Sequence, residues 1–211
     1  MKQKKLVCGI GINDAGYVTQ VNETVAWVDG KRKQRMLWLC PFYRTWKDML
    51  QRCYSGKSRV KYPTYAGCSV VTEWHRFSVF KAWMEKQDWE GNQLDKDLLQ
   101  HSNKVYGPEH CIFVSRQVNM FMLECSAARG DWPLGVFLCK KSNKFHAKCS
   151  NPFTKKRDDL GLLSCPNEAH QAWLKKKREH AIALAALQTD ARIAKALLDR
   201  YASDEYTPLH E

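Results

Sequence analysis

The sequence predicts an α+β protein in which short strands and amphipathic helices precede a three-stranded antiparallel sheet packed on a helix. Two observations predict this class. Apolar residues recur at helical spacing in some segments and alternate with polar residues in others. In addition, the segment GDWPLG at 130–135 separates a mixed N-terminal pattern from a compact strand–strand–strand–helix pattern. We therefore expect one domain over residues 1–128 and a second over residues 129–211.

The first domain is expected to begin with strands and to continue with two amphipathic helices that flank a short strand. Residues 6–29 alternate apolar and polar side chains around turn sequences at 13–16 and 22–23, which predicts short antiparallel strands. Residues 41–54 predict the first helix, and Thr72 is expected to cap the second. Each helix carries an apolar stripe, which we interpret as protein core rather than as a platform for stacking bases. The stripes comprise Tyr43, Trp46, Met49, Leu50 and Cys53 in the first helix, and Phe77, Phe80, Trp83 and Met84 in the second.

The second domain is expected to contain strands at 134–141, 144–150 and 156–164. A long helix should then start near Pro166, because proline suits the first turn of a helix. Residues 181–203 are rich in alanine and leucine and nearly neutral, which predicts a helical packing or oligomerisation element.

Strand alternation in the second domain predicts a cationic surface. Along 144–150, one set of side chains should face the helix and the other set should face solvent. The solvent-facing set, extended by basic residues of the adjacent turns, is predicted to lie on phosphates or in a groove of DNA. It comprises Lys140, Lys141, Lys144, His146, Lys148, Lys155, Lys156 and Arg157.

The charge is arranged in blocks. The 211 residues carry a formal net charge of +12, divided as +9 over residues 1–66, −2 over 67–128, +7 over 129–180 and −2 over 181–211. Two basic segments on either side of a slightly acidic one favour a polyanion such as nucleic acid over a role in solubility alone. No apolar run approaches the roughly 20 residues of a membrane helix, and the start does not resemble a secretory signal. The nine cysteines, none in a C-x-x-C pair, are expected to be reduced thiols in the cytoplasm.

The acidic segment holds the candidate chemistry. Asp95 and Asp97 stand two apart, and a strand–loop–strand–helix order over 94–119 would bring Asp95 and Asn119 together. Carboxylate and amide oxygens bind hard divalent cations such as Mg²⁺ or Mn²⁺. The alternative is structural: the aspartates cap a turn or pair with arginines, and Asn119 caps a helix.

The chain resembles two known families in these regions. The ordered set LDKD, YGPEHC, FV and N between 94 and 119, preceded by YRTW, KDML and QRCY, is similar to phage-encoded endonucleases of the HNH (His-Asn-His) homing type. This resemblance spans about residues 40–120. The pattern of Gly135-Val136, KKSNKFHA, the LG at 160–161 and NEAHQAW resembles the APETALA2-type DNA-binding domain over about 50 residues. Together they imply a phage protein that acts on duplex DNA in the bacterial host cytoplasm.

The first resemblance implies a metal-binding strand–strand–helix nuclease core that holds Mg²⁺ or Mn²⁺. Asp95 matches the family's metal-binding aspartate, Asn119 its last ligand, and Asn103 lies near its middle asparagine. The base histidine of the family is replaced by Lys96. Since a free lysine titrates near 10.4, its neutral form at pH 7 costs about 5 kcal/mol more to populate than that of a histidine.

We therefore expect Lys96 to act as a phosphate clamp and His101 to be the general base, with His110 and His75 as further candidates. Lys96 as the general base stays an alternative, because a nearby metal ion would favour its neutral form. The first hypothesis is a metal-dependent endonuclease that nicks or cuts duplex DNA. The alternative is a catalytically inactive DNA-binding or inhibitory protein on the same scaffold, and a third is an RNA-binding module. A zinc site at Cys53, Cys68 and Cys111 also stays open, although the close ligand pairs of zinc sites are missing. The oligomeric state is not predicted.

Overall fold

A computed structural model of the chain describes residues 6–123 and 131–202. The described residues form an α+β fold, as predicted. They divide into two compact units, and the division falls between Phe113 and Val114. The boundary predicted between residues 128 and 129 lies outside the described residues.

The first unit begins with a hairpin and continues with helices that alternate with short strands. Its elements are β1 (Gln20–Val28), β2 (Lys31–Leu39), α1 (Pro41–Tyr54), α2 (Gly56–Lys61), β3 (Ser69–Val70), α3 (Phe77–Met84), β4 (Gln93–Asp95) and β5 (Val105–Tyr106). The division between the units falls within the next strand, β6 (Ile112–Val114). β3 pairs in parallel with β5, and β4 pairs with β6, so the loop after β4 lies between two small sheets.

The core of the first unit forms around α1 and α3, which confirms that their aromatic stripes are structural. Trp46, Met49 and Leu50 are fully buried, and the Trp46 indole donates a hydrogen bond of 2.7 Å to the carbonyl oxygen of Trp74. The prediction that Thr72 caps α3 is wrong. Residues 72–75 form a separate 3-10 turn, and α3 begins only at Phe77.

The N-terminal turn predicted at 22–23 is also wrong, because those residues lie within β1. The hairpin turns instead at Asp29 and Gly30, whose φ angles of 48° and 70° lie in the left-handed region. A two-residue turn with two positive φ angles matches the right-handed twist of paired strands, and Asp-Gly is a preferred sequence for it. The basic residues 31–35 therefore belong to β2.

The second unit contains the predicted three-stranded antiparallel sheet beside a helix. Its elements are α4 (Arg116–Met122), β7 (Val136–Cys139), β8 (Lys144–Ser150), β9 (Arg157–Leu163), α5 (Pro166–Ala185) and α6 (Ala191–Arg200). The strands are ordered β7-β8-β9, with Val136 opposite Ala147 and Lys148 opposite Asp159. Val136, Ala147 and Ala169 are buried between the sheet and α5.

The C-terminal helical run is interrupted, contrary to the prediction of continuous helix over 181–203. α5 ends at Ala185, and the side chain of Asp190 accepts a hydrogen bond of 2.8 Å from the backbone N–H of Arg192 at the start of α6. Aspartate is favoured at this capping position, which explains the new start. Residue 203 lies outside the described residues. Among the helices described, none is long and apolar enough to cross a membrane.

A buried lysine links α4 to α5 within the second unit. The ammonium of Lys177 donates a hydrogen bond of 2.6 Å to the carbonyl oxygen of Phe121 and lies 3.5 Å from the centre of the Phe121 ring. The Tyr201 ring lies 5.4 Å from the same nitrogen. A cation among aromatic faces is stabilised by their quadrupoles, most strongly where water is excluded. This contact explains why α4 belongs to the C-terminal unit.

Candidate functional site

The carboxylate of Asp95, at the end of β4, binds the first backbone N–H groups of the loop that follows. Its Oδ1 atom accepts backbone hydrogen bonds from Asp97 at 2.7 Å and from Leu98 at 2.6 Å. Burial raises the pKa of Asp95 above its usual range, and these two hydrogen bonds only partly oppose the effect. The described hydrogen bonds of Asp95 use Oδ1, so Oδ2 is the oxygen available to another ligand.

Lys96 points into this loop. Only 5% of its side chain is exposed, and its ammonium donates to the Asp97 carboxylate and, at 2.6 Å, to the carbonyl oxygen of Asn103. The Asn103 amide in turn donates to the carbonyl oxygens of Lys96 at 2.9 Å and Val105 at 2.7 Å. Lys96 and Asn103 therefore hold the two ends of the loop together. To act on a phosphate or as a base, the ammonium would have to leave both partners.

The three histidines proposed as bases occupy different environments in the first unit. His101 is exposed on the loop, with its Nδ1 atom 2.9 Å from the hydroxyl of Ser102. The Nε2 atom of His75 lies 3.1 Å from the carbonyl oxygen of Val70, and its ring packs edge-on against Tyr54. The backbone of His110 closes a turn on the carbonyl oxygen of Gly107. Of the three, His101 is the most open to a substrate.

The proposed metal ligands are distributed over both units. Asp95 and Asp97 belong to the first unit, whereas Asn119 lies on α4 in the second, where its N–H donates to the carbonyl oxygen of Ser115 at 3.0 Å. Over residues 6–123 and 131–202, no group of three or more histidine, cysteine or acidic side chains is arranged to hold a metal ion. The carboxylate oxygens of Asp95 and Asp97 are the kind of ligand that Mg²⁺ prefers. Lys96 pairs with Asp97, so Asp95 is the carboxylate outside that ion pair.

The three cysteines considered for zinc are buried in the core of the first unit. Burial raises the pKa of both Cys53 and Cys111 to about 12, and it also raises the pKa of Cys68. Zinc binds the thiolate form of cysteine, which these environments disfavour. Their positions suit small apolar side chains of the core.

The predicted cationic surface lies on the solvent side of the C-terminal sheet; we call it the basic sheet face. Of its eight basic residues, six are exposed, and His146 and Lys148 are half-buried in the strand. The turn after β7 carries Lys140 and Lys141 at one end of β8, and the loop before β9 carries Lys155 and Lys156 at the other. The Asn151 side chain shapes the second loop by accepting hydrogen bonds from two of its backbone N–H groups.

Sequence reasoning missed three residues of this face. Asp159 stands opposite Lys148, and both its carboxylate oxygens lie 2.8 Å from the Nε2 atom of His146. This hydrogen bond keeps the pKa of Asp159 below its usual range. Phe137 and Leu162 are 48% and 46% exposed, and each lies opposite His146 in the sheet. Alternation along β7 was the signal that could have identified Phe137. In β9 a register shift between Asp159 and Leu162 puts residues of opposite parity on one face, which alternation does not predict.

No model of a known protein family matches the chain, and searches of curated proteins and of solved structures likewise found no match. The resemblances to HNH-type endonucleases and to APETALA2-type domains therefore depend on the quoted residues alone.

Proposed function

We propose that this chain binds duplex DNA through the basic sheet face. The observation that carries the proposal is the arrangement of that face: cationic turns at both ends of β8 flank a surface that exposes Phe137 and Leu162. Asp159 is the acidic residue that the described strands contribute to this face, and its carboxylate is paired with His146. A surface of this kind supplies cations for phosphates at its edges and apolar groups for base edges at its centre.

The dimensions of the face suit the major groove. The seven residues of β8 span about 20 Å at about 3.4 Å per residue, whereas the major groove of B-DNA is about 12 Å wide. Lysines at the two ends of β8 can therefore reach the phosphates on both sides of the groove. Phe137 and Leu162 would then face the base edges, where the thymine methyl group is an apolar partner.

The salt dependence of binding tests this proposal. If six to ten phosphates are neutralised, the logarithm of the binding constant should fall with the logarithm of salt concentration at a slope of roughly −5 to −9. The measurement is a titration of the full chain with a labelled 30-base-pair duplex at several salt concentrations between 50 and 200 mM. A slope near zero, or no binding, would contradict the proposal.

Competition with double-stranded RNA separates DNA from RNA as the ligand. The major groove of A-form RNA is deep and narrow, so side chains on a sheet cannot reach its base edges. We expect duplex DNA to displace the labelled probe at much lower concentration than RNA of the same length. Equal competition would favour the RNA-binding alternative.

Metal-dependent endonuclease activity is the second candidate function. It is supported by the half-buried Asp95 carboxylate, which keeps one oxygen outside its loop hydrogen bonds, and by the quoted HNH-like residues around it. Of the proposed ligands, Asp95 and Asp97 lie together in the first unit and would offer carboxylate oxygens to Mg²⁺ or Mn²⁺. A bound ion would supply Lewis-acid stabilisation to phosphodiester hydrolysis. The burial of Lys96 favours the alternative of DNA binding without cleavage. Lys96 stands at the position of the family's general-base histidine, and its side chain is held inside the loop, away from a substrate.

A supercoiled-plasmid assay with Mg²⁺ or Mn²⁺ distinguishes these two functions. Conversion to nicked or linear plasmid by the wild type would establish cleavage. Duplex binding without conversion under either metal would establish a binding protein on an inactive scaffold.

A further inference from the structure

The N-terminal hairpin is the most exposed structured segment of the first unit. We call residues 20–39, which comprise β1 and β2, the hairpin arm. Every residue from 21 to 38 is exposed, and at the base the N–H of Cys40 donates to the carbonyl oxygen of Thr19 at 2.9 Å. Each strand has nine residues, so the arm is about 27 Å long at about 3.4 Å per residue.

The exposed residues of the hairpin arm include large apolar side chains. Trp27 is 66% exposed, and other large apolar side chains follow along both strands: Val21, Val25, Val28, Met36, Leu37 and Trp38. A two-stranded hairpin is only marginally stable in water without a packed face. A cluster of exposed apolar side chains marks an interaction surface more often than a free one.

The charge of the hairpin arm indicates what covers it. Residues 31–36 alternate without interruption, so Lys31, Lys33 and Arg35 lie on one face of β2. On the other face, Arg32 lies over the Trp27 ring, with its guanidinium carbon 5.4 Å from the ring centre. A second copy of the arm would place like charges against each other, whereas a polyanion complements them.

We infer that the hairpin arm is a second DNA-binding element that enters the major groove. This inference rests on the proposed function of the chain as a duplex-DNA-binding protein. A two-stranded ribbon fits the major groove, about 12 Å wide, but not the minor groove, about 6 Å wide. Lys31 and Lys33 face phosphates, whereas Arg35 of the same row is paired with Glu23 at 2.7 Å. Trp27 with its stacked Arg32 brings an apolar surface to the base edges.

Charge removal on the arm tests the inference. The full chain carrying Lys31→Ala and Lys33→Ala is compared with a control that carries Lys86→Ala and Lys195→Ala, two exposed lysines outside both proposed surfaces. If each arm lysine contacts one phosphate, the arm variant should bind a 30-base-pair duplex at least about tenfold more weakly at 100 mM salt. Its salt slope should also be shallower by about 1.8. The control should bind within about twofold of wild type.

Dimethyl sulfate footprinting on the same duplex identifies the groove. Wild type should protect guanine N7 atoms, which lie in the major groove, and the arm variant should lose a subset of these protections while the rest remain. Trp27→Ala should lose protections within that subset and keep the salt slope of wild type. An arm variant that matches the control, or wild-type protection at adenine N3 in the minor groove, would overturn the inference.

The remaining outcomes separate failure of the inference from failure of the proposed function. If the wild type binds no duplex, both are overturned together. If it binds normally through other residues while sedimentation shows a dimer that Trp27→Ala disrupts, the arm is an interface between copies. In that case the DNA-binding proposal stands and the arm inference falls.

Discussion

Replacing Gly135 with alanine is expected to destabilise the C-terminal sheet strongly. Gly135 precedes β7 with a φ angle of 76°, and a Cβ atom at this position would overlap the indole ring of Trp173 on α5. The left-handed backbone costs about 1–2 kcal/mol with an L side chain, and the overlap adds about 1–3 kcal/mol as the packing adjusts. We therefore expect a loss of about 2–5 kcal/mol in the free energy of unfolding, measured by urea denaturation.

Gly161→Ala is the matched control. Gly161 also has a positive φ angle, 93°, but nothing lies within 4 Å of a Cβ atom built there. The Gly161→Ala variant should therefore lose only the free energy of unfolding that the left-handed backbone costs, about 1–2 kcal/mol, because no side-chain overlap is added. Equal losses for the two variants would mean that α5 moves to accommodate a side chain, and that the close approach of Gly135 to Trp173 is not needed for the fold.

If the chain cleaves DNA as the second candidate function proposes, replacing Asp95 with asparagine should remove that cleavage without weakening the fold. Asparagine keeps an oxygen that can accept the hydrogen bonds from Asp97 and Leu98, but it loses the charge that would hold a cation. A loss of several kcal/mol of transition-state stabilisation corresponds to a rate reduced by at least about 10²-fold. The rate of plasmid conversion measures this effect, with Asp88→Asn, an exposed aspartate of the same unit, as control.

The pH dependence of stability gives a second readout for Asp95. Burial raises the pKa of its carboxyl group in the folded state, so the ionised form opposes folding. Asp95→Asn should therefore be at least as stable as wild type at pH 7. The difference should shrink as pH falls through the raised pKa, because wild type then takes up the proton. A variant that is less stable at pH 7, or that cleaves at the wild-type rate, would contradict this role.

The central strand of the C-terminal sheet, β8, could be predicted because its alternation is regular. Ala147 and Cys149 are buried beside α5 while Lys144 is exposed, as period-two spacing requires. The hairpin arm could not be delimited in the same way. Both of its faces are exposed, so no apolar face fixed the strand, and the turn was placed at 22–23 although Asp29-Gly30 is the stronger turn sequence.

The interior of the candidate site was beyond sequence reasoning for a different reason. A lysine between two aspartates is expected to be solvated, yet Lys96 is buried because the loop folds back to offer it the carbonyl oxygen of Asn103. The fold of the loop back to Asn103 depends on backbone geometry, including the positive φ angle of 60° at Ser102. Residue type alone does not reveal such a geometry, since serine rarely adopts it.

Binding of duplex DNA by variants of the basic sheet face tests whether this face holds the duplex. The full chain with Lys144→Ala and Lys148→Ala is compared by fluorescence anisotropy with wild type and with the Lys86→Ala and Lys195→Ala control. Both face lysines lie on the solvent side of β8, so the fold should be retained. The face variant should bind at least about tenfold more weakly than wild type at 100 mM salt, with a salt slope shallower by about 1.8 if each lysine contacts one phosphate. Wild-type affinity and slope in the folded face variant would contradict binding through this face.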